Sequence, residues 1–341
     1  MDVFSVLTLV GGLALFLFGM KYMGESLEML ASGRLERILS KLTGKTSRAV
    51  LLGAAVTAVI QSSSATTVMV VGFVNSGIMS LRQAVGVIMG ANIGTTLTSW
   101  ILSLSGIESN TVWIKMLKPS SFAPIIAMVG VVLYMTAKDN VKKLHLGGIC
   151  IGFGILMFGM ETMSQAMQPL AESEGFASIL LAVSNPVFGI VVGMLFTAII
   201  QSSSASVGIL QALCMSGTVS FASVIPIVLG QNIGTCGTAL LSSIGASKNA
   251  RRASMIHLSF NMIGTIVFVT VFYTINAVFD LSILQQAASP MAVATVHSIF
   301  NIGCTALLYP FSGHLVSLAE NIIKDDFASP SNMKAKMGAQ T

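Results

Sequence analysis

Apolar residues do not alternate with polar ones along this chain. They run in long blocks separated by short polar or charged stretches. A helix rises ~1.5 Å per residue, so a block of ~20 residues crosses a ~30 Å hydrocarbon core. Blocks at about 4–22, 84–104, 120–137, 146–160, 222–244, 253–279 and 291–312 predict membrane helices. Blocks 49–79 and 188–218 differ. Each is interrupted at its middle by Gln-Ser-Ser-Ser, at Gln61, Ser62, Ser63 and Ser64 and again at Gln201, Ser202, Ser203 and Ser204. Three hydroxyls in a row make a poor helix centre, because they compete for backbone hydrogen bonds. Residues 49–60 as a helix reach only ~18 Å, about halfway across the core. Each interrupted block therefore predicts a re-entrant hairpin whose tip stops near the midplane.

These two blocks are copies. Gln61 to Ala65 returns 140 residues later as Gln201 to Ala205, and from 51 to 67 nine of 17 positions are identical without a gap. Phe18-Gly19-Met20 returns as Phe158-Gly159-Met160. Gly90-Ala91-Asn92-Ile93-Gly94-Thr95 returns as Gly230-Gln231-Asn232-Ile233-Gly234-Thr235. Two apolar stretches alike by chance would match Leu with Val, not Gln-Ser-Ser-Ser.

Charge distinguishes the copies. Residues 21–48 carry Lys21, Arg34, Arg37, Lys41, Lys45 and Arg48, whereas 161–188 carry no Lys or Arg. Cytoplasmic loops collect basic residues, so the equivalent loops are expected on opposite sides. That is the signature of inverted-topology repeats, frequent in secondary transporters. Basic loops at 34–48, 138–143 and 248–252 read as cytoplasmic, and crossing parity then requires each interrupted block to leave on the side it entered, the second block entering from the side opposite to the first. Lys115 and Lys118 sit awkwardly in the loop 105–119, which this count places outside. The expected architecture is an all-α integral membrane protein of two inverted repeats, each with a re-entrant hairpin and a broken transmembrane helix. Residues 1–145 form the first repeat: a spanning helix, hairpin 49–79, helix 84–104 and helix 120–137. Residues 146–290 form the second: helix 146–160, hairpin 188–218 and helices 222–244 and 253–279. Residues 291–341 supply the last span and a polar cytoplasmic tail from Lys324.

Composition agrees and excludes the alternatives. Hydrophobic types make up 54% of the 341 residues and charged types 9%, against ~25% charged in soluble domains. The net charge of +5 is explained by basic inside loops better than by a nucleic-acid partner. The first block has no basic stretch ahead of it, and Lys21 follows it, which is the reverse of a cleaved signal peptide. Cys150, Cys214, Cys236 and Cys304 lie in apolar stretches without CxxC pairing and read as packing residues.

The polar motifs carry the chemistry. In lipid, non-helical backbone persists only where protein or a water-filled cavity satisfies it. Two Gln-Ser-Ser-Ser tips at equal depth suggest a shared central site. Asn92, Thr95 and Thr96, with Asn232 and Thr235, sit between glycines that weaken the helix. This predicts a break, although Gly86, Gly90 and Gly94 also form a small-residue row suited to close helix packing. The donors are neutral oxygens, and no Asp or Glu lies in either motif. Oxygen-only coordination suits a monovalent cation such as Na⁺. Half-helix N-termini hold an anion without any Arg. A cation and an anion side by side fit this chemistry, and the anion is not specified by it. His257-x-x-Phe260-Asn261 and its copy at His297, Phe300 and Asn301 read as a hydrogen-bonded pair locking two helices, or as a proton relay.

Taken together, these motifs resemble the type II sodium–phosphate cotransporter family in its bacterial branch, over roughly residues 10–310. The resemblance implies a symporter, often dimeric, that moves inorganic phosphate with Na⁺. It implies that Ser62–Ser64 and Ser202–Ser204, with Asn92 and Asn232 nearby, surround phosphate. It also implies Na⁺ ligation by Gln61, Gln201, Thr95, Thr96 and Thr235. Animal members carry an H-x-x-F-N-like stretch after the first G-x-N-I-G-T, with an acidic residue in electrogenic forms. The region Trp113 to Pro124 lacks it here, which leaves ion stoichiometry and electrogenicity open. Some bacterial members continue into a soluble phosphate-regulatory domain, which is not expected in this chain. The expectation is a sodium-coupled phosphate importer in the cell membrane, a homodimer in the bilayer with no nucleic-acid partner and no enzymatic role. An anion channel, an H⁺-coupled carrier of another small anion and a non-transporting sensor are the rivals. A serine hydrolase is disfavoured, because no G-x-S-x-G and no Asp partner accompany the serines.

Overall fold

The computed structural model describes residues 3–107, 116, 118–171 and 174–324. The chain is built from helices α1 (Val3–Leu42), α2 (Thr46–Ile60), α3 (Ser63–Asn75), α4 (Leu81–Ser103), α5 (Pro119–Met135), α6 (Val141–Ala171), α7 (Glu174–Val183), α8 (Pro186–Ile200), α9 (Ser203–Cys214), α10 (Phe221–Gly234), α11 (Cys236–Ser242), α12 (Lys248–Phe279), α13 (Pro290–Leu308) and α14 (Ser312–Ile322). Among the described residues no strand forms, and an isolated bridge joins Ser220 to Ala287. Among the described residues, six segments are long and apolar enough to cross a membrane: Val3–Ala31, Leu81–Gly106, Val141–Met167, Phe221–Ser242, Lys248–Phe279 and Pro290–Ile322. Helices α2, α3, α5, α8 and α9 are apolar but shorter. The 15 residues of α2 rise only ~22 Å, short of the ~30 Å core.

The duplication is visible in the packing. Gly53 lies against the backbone of Val87, and Gly193, its counterpart, against that of Ile227. A Cβ on Gly90 would strike the Val50 carbonyl, and one on Gly230 the Ile190 carbonyl. Gly94 meets Ala54 and Thr57 as Gly234 meets Met194 and Thr197. Helix α4 is thus seated on α2 by the same contacts that seat α10 on α8. Helices α1 and α6, also repeat mates, pack on one another. Gly12 faces Gly159 and Gly19 faces Gly152, so the two run antiparallel. Their layer is filled by Phe16, Met20, Leu156, Met157, Met160 and Met163. The main core lies among α2, α3, α4, α9, α10, α12 and α13, around Ile60, Ile88, Leu229, Phe260 and Phe300. Gly77 and Gly217 both hold φ at 74° in the turns that leave α3 and α9, a conformation that L side chains resist.

Several sequence expectations need correction. The expected break in helix 84–104 is absent, since α4 runs unbroken from Leu81 to Ser103 through Asn92, Thr95 and Thr96. Its glycines serve close contact with α2 instead, and a tightly seated helix has no cause to open. In the second copy α10 ends at Gly234 and α11 resumes at Cys236, but Thr235 keeps helical angles (φ −59°, ψ −27°). That is an interruption of the ladder rather than an unwound segment. Helix α1 has 40 residues and continues through 34–42, which the charge pattern assigned to a loop. Leu, Glu, Met and Ala sustain it, being strong helix formers. Helix α6 likewise exceeds 146–160 at both ends. Lys115 and the tail 325–341 lie outside the described residues.

Candidate functional site

Each Gln-Ser-Ser-Ser becomes a sharp corner between two short helices. Gln61 and Gln201 cap α2 and α8 in the left-handed region, at φ 60° and 59°. Each donates its N–H to a threonine carbonyl one turn back, Thr57 or Thr197, at 2.7 Å. Ser62 and Ser202 then cap the N-termini of α3 and α9, their hydroxyls accepting from Ala65 N (3.1 Å) and Ala205 N (3.2 Å). A Ser cap satisfies a first-turn donor that would otherwise be orphaned. Each corner is braced by a buried hydroxyl pair. Thr57 Oγ1 donates to Thr66 Oγ1 at 3.0 Å, and Thr197 Oγ1 to Ser206 Oγ at 2.7 Å.

The two corners meet. Ser63 Oγ lies 3.5 Å from Ser203 Oγ, and both residues are buried. Ser64 Oγ reaches the Gln201 carbonyl at 3.4 Å and accepts from Thr238 Oγ1 at 3.2 Å. Thr98 Oγ1, 140 residues before Thr238, donates to Gln61 Oε1 at 2.8 Å. Ser204 is buried beside them. Helices α3 and α9 therefore start at one junction, where both positive dipole ends converge with several hydroxyls. A cavity of about 600 Å³ reaches this junction, with Gln61, Ser62, Gln201 and Ser202 on its wall.

The second set of expected residues is placed differently. Asn92 and Asn232 are buried, but their amides donate back to Ile88 O (3.2 Å) and Val228 O (2.8 Å) of their own helices. Thr95, Thr96 and Thr235 likewise donate to Ala91 O, Ile93 O and Gln231 O. The single proton of each threonine is thus committed while its oxygen keeps a free lone pair, as a cation needs, whereas each asparagine amide keeps a second N–H that can serve an anion. Thr238 Oγ1 reaches both Thr235 O (3.0 Å) and Ser64 Oγ (3.2 Å) and so links Thr235 to a corner; among the described residues no hydrogen bond joins the side chains of the five directly to the corner serines. The H-x-x-F-N asparagines also bond their own helix, to His257 O and His297 O. The lock between helices is made by His297 Nδ1 with Ser99 Oγ at 2.9 Å. Position 239, the repeat mate of Ser99, is Ala, and the ring nitrogens of buried His257 have no hydrogen-bond partner among the described residues.

Six supporting residues went unmarked in the sequence: Thr57, Thr66, Thr98, Thr197, Ser206 and Thr238. They form three hydroxyl pairs at the offset of 140. That signal was present.

A family model described as Na⁺/Pi-cotransporter matches residues 15–165 and again 155–292. The chain belongs to the Na⁺/Pi-cotransporter family. The two matches begin 140 residues apart, at the offset of the motifs. The chain is 29% identical over 295 residues to the uncharacterized protein YqeW of Bacillus subtilis, covering 86% of this chain and 90% of YqeW. It is 26% identical over 333 residues to a putative inorganic phosphate export protein, YjbB, of Salmonella typhimurium, covering 97% of this chain. The match covers 58% of YjbB, so the chain spans little more than half the length of that relative. Over 90 residues, 25% of this chain and 14% of the relative, it is 41% identical to the sodium-dependent phosphate transport protein 2A of Rattus norvegicus. No solved structure matches the chain. The family and the phosphate-transport relatives support phosphate transport by a multi-pass membrane protein.

Proposed function

We propose that this protein is a sodium-coupled symporter that imports inorganic phosphate by alternating access. The observation that carries the reading is the junction at Ser63 and Ser203, where two capped helix N-termini and their hydroxyls face one another in a buried setting. Phosphate lies there, held by Ser62–Ser64 and Ser202–Ser204, with first-turn N–H groups supplying the positive field. Na⁺ binds at neutral oxygens of Gln61, Gln201, Thr95, Thr96 and Thr235, and Asn92 and Asn232 border the anion. Each Na⁺ lowers the cost of holding a dianion nearby. Net positive charge moving inward gains ~2.3 kcal/mol per charge at 100 mV.

In this reading the pairs α2–α3 and α8–α9 are re-entrant hairpins of two inverted repeats. Their short lengths and the antiparallel seating of α1 on α6 support it. A homodimer in the cell membrane completes the reading and rests on the family resemblance. The name of the YjbB relative favours a second reading, phosphate export through the same site.

Labelled-phosphate flux in proteoliposomes tests both. Uptake driven by an inward Na⁺ gradient and lost when K⁺ replaces Na⁺ supports symport. Equal uptake in either salt removes sodium coupling. Efflux that runs only without a Na⁺ gradient favours export. Ser64→Leu or Ser204→Leu should abolish flux while the protein still inserts, and flux surviving both changes would displace the site.

A further inference from the structure

The wall of the 600 Å³ cavity opposite the serine corners is charged. Lys21, Glu25 and Glu28 of α1 stand across from Gln61, Ser62, Gln201 and Ser202. They lie within Val3–Ala31, a segment apolar enough to span a membrane. Ionisable groups in such a segment are costly unless a water-filled cavity or a partner receives them, and they mark ion pathways. Lys21 Nζ is 3.7 Å from Glu25 Oε1, and the two side chains are 75% and 61% exposed. So long and open an ion pair holds its partners weakly, and the ammonium can exchange one anion for another.

The repeat supplies an internal comparison. The counterpart of Lys21 is Glu161, and those of Glu25 and Glu28 are Gln165 and Gln168. Glu161 pairs with Lys118 at 3.6 Å. It lines a different cavity, beside Leu15, Ser120 and Pro124, whose wall includes none of the corner serines. The basic charge is therefore delivered to the cavity that reaches both serine corners.

We propose that Lys21 is the capture residue for phosphate in this cavity. Its ammonium leaves Glu25 for the incoming phosphate, and Glu25, released, presents its carboxylate to the accompanying cation. Lysine suits the role as a compact charge on a flexible stem with three donors. Lys21 is the basic group beside two carboxylates on this wall, so its own three donors, rather than the net charge of the cavity, recruit the anion. Lys21 exchanges phosphate with the serines from the side of α1 that carries the basic residues, so the inference rests on the reading of the serine corners as the phosphate site.

Phosphate uptake by the full chain in proteoliposomes tests it. Lys21→Gln should raise the KM for phosphate by about tenfold, with kcat changed by less than about twofold, and raising the salt should narrow the gap to wild type. Lys21→Arg should keep KM near the wild-type value. The charge-swapped pair Lys21→Glu with Glu25→Lys should not restore it. An unchanged KM in Lys21→Gln, or restoration by the swap, would overturn the proposal and leave Lys21 as a counter-ion of Glu25. A second measurement needs no transport. Lys21→Cys should react with a charged thiol reagent, and inorganic phosphate should protect it. An aminoethyl reagent should restore the low KM and a sulfonatoethyl reagent should not. Labelling indifferent to phosphate counts against capture even if uptake fails. Sodium-driven uptake that is sensitive at Ser64 but not at Lys21 would retire this inference alone.

Discussion

Gln61 and Gln201 hold a left-handed backbone that non-glycine residues adopt at a cost of roughly 1–2 kcal/mol. Glycine would fit there more easily, yet both copies carry glutamine. Strain kept at equivalent positions of a buried junction points to the side chain as its reason. In the first copy the carboxamide is held at both ends, by Thr98 on Oε1 and by Ala58 O on Nε2. Gln61→Gly relaxes ~1–2 kcal/mol of backbone strain but loses both carboxamide hydrogen bonds, ~0.5–1.5 kcal/mol each, so the melting temperature in detergent should change little. Phosphate flux in the same variant should fall about tenfold, a loss of ~1.4 kcal/mol of useful interaction. Gln61→Val should lower both stability and flux, since a β-branched residue resists the left-handed region. Normal transport by Gln61→Gly would show that the carboxamide does no chemistry.

At the scale of helices, the glycine rows decide which residues form the site. Gly90 sits against the Val50 carbonyl, whereas Gly72 in the last turn of α3 has open space where a Cβ would stand. Gly90→Ala should destabilise by ~1–3 kcal/mol through overpacking, read as a lower melting temperature. Gly72→Ala should be neutral or stabilise by up to ~1 kcal/mol, the helix-propensity difference. Equal shifts in the two variants would contradict the seating of α4 on α2. The same contrast explains what could be read in the sequence and what could not. The interrupted blocks were legible because Gln-Ser-Ser-Ser is incompatible with a helix centre in either copy. The expected break at Asn92 was not, because glycines that weaken a helix and glycines that let helices touch have the same spacing. Only the neighbour, Val50 or Ile190, distinguishes them, and it lies 40 residues away in sequence. The bracing pair Thr57 and Thr66 was missed because a threonine bonding its own helix looks the same in sequence as one bonding across a corner. Its echo in Thr197 and Ser206 was the available clue.

For the whole molecule, the proposal stands or falls on the inversion of the repeats. Helices α1 and α6 run antiparallel although their sequences correspond, as an inverted pair must. The charge pattern adds direction: basic residues crowd 21–48 and are absent from 161–188. If both corners enter the membrane from opposite faces, the turns after α3 and α9 emerge on opposite sides. Ile78 and Thr218 are equivalent positions in those turns, and both are exposed. Three of the four native cysteines are buried and Cys150 is partly buried, so background labelling is low. Ile78→Cys should be labelled by an impermeant thiol reagent only from the cytoplasmic side, and Thr218→Cys only from the outside. Labelling of both from one face would reduce the repeat to a parallel duplication. The serine junction would survive that result as a structure, but alternating access by exchange of equivalent halves would not. That mechanism needs each half to do from one side what its mate does from the other, a demand that the antiparallel packing of α1 on α6 agrees with and that the labelling of the two turns tests.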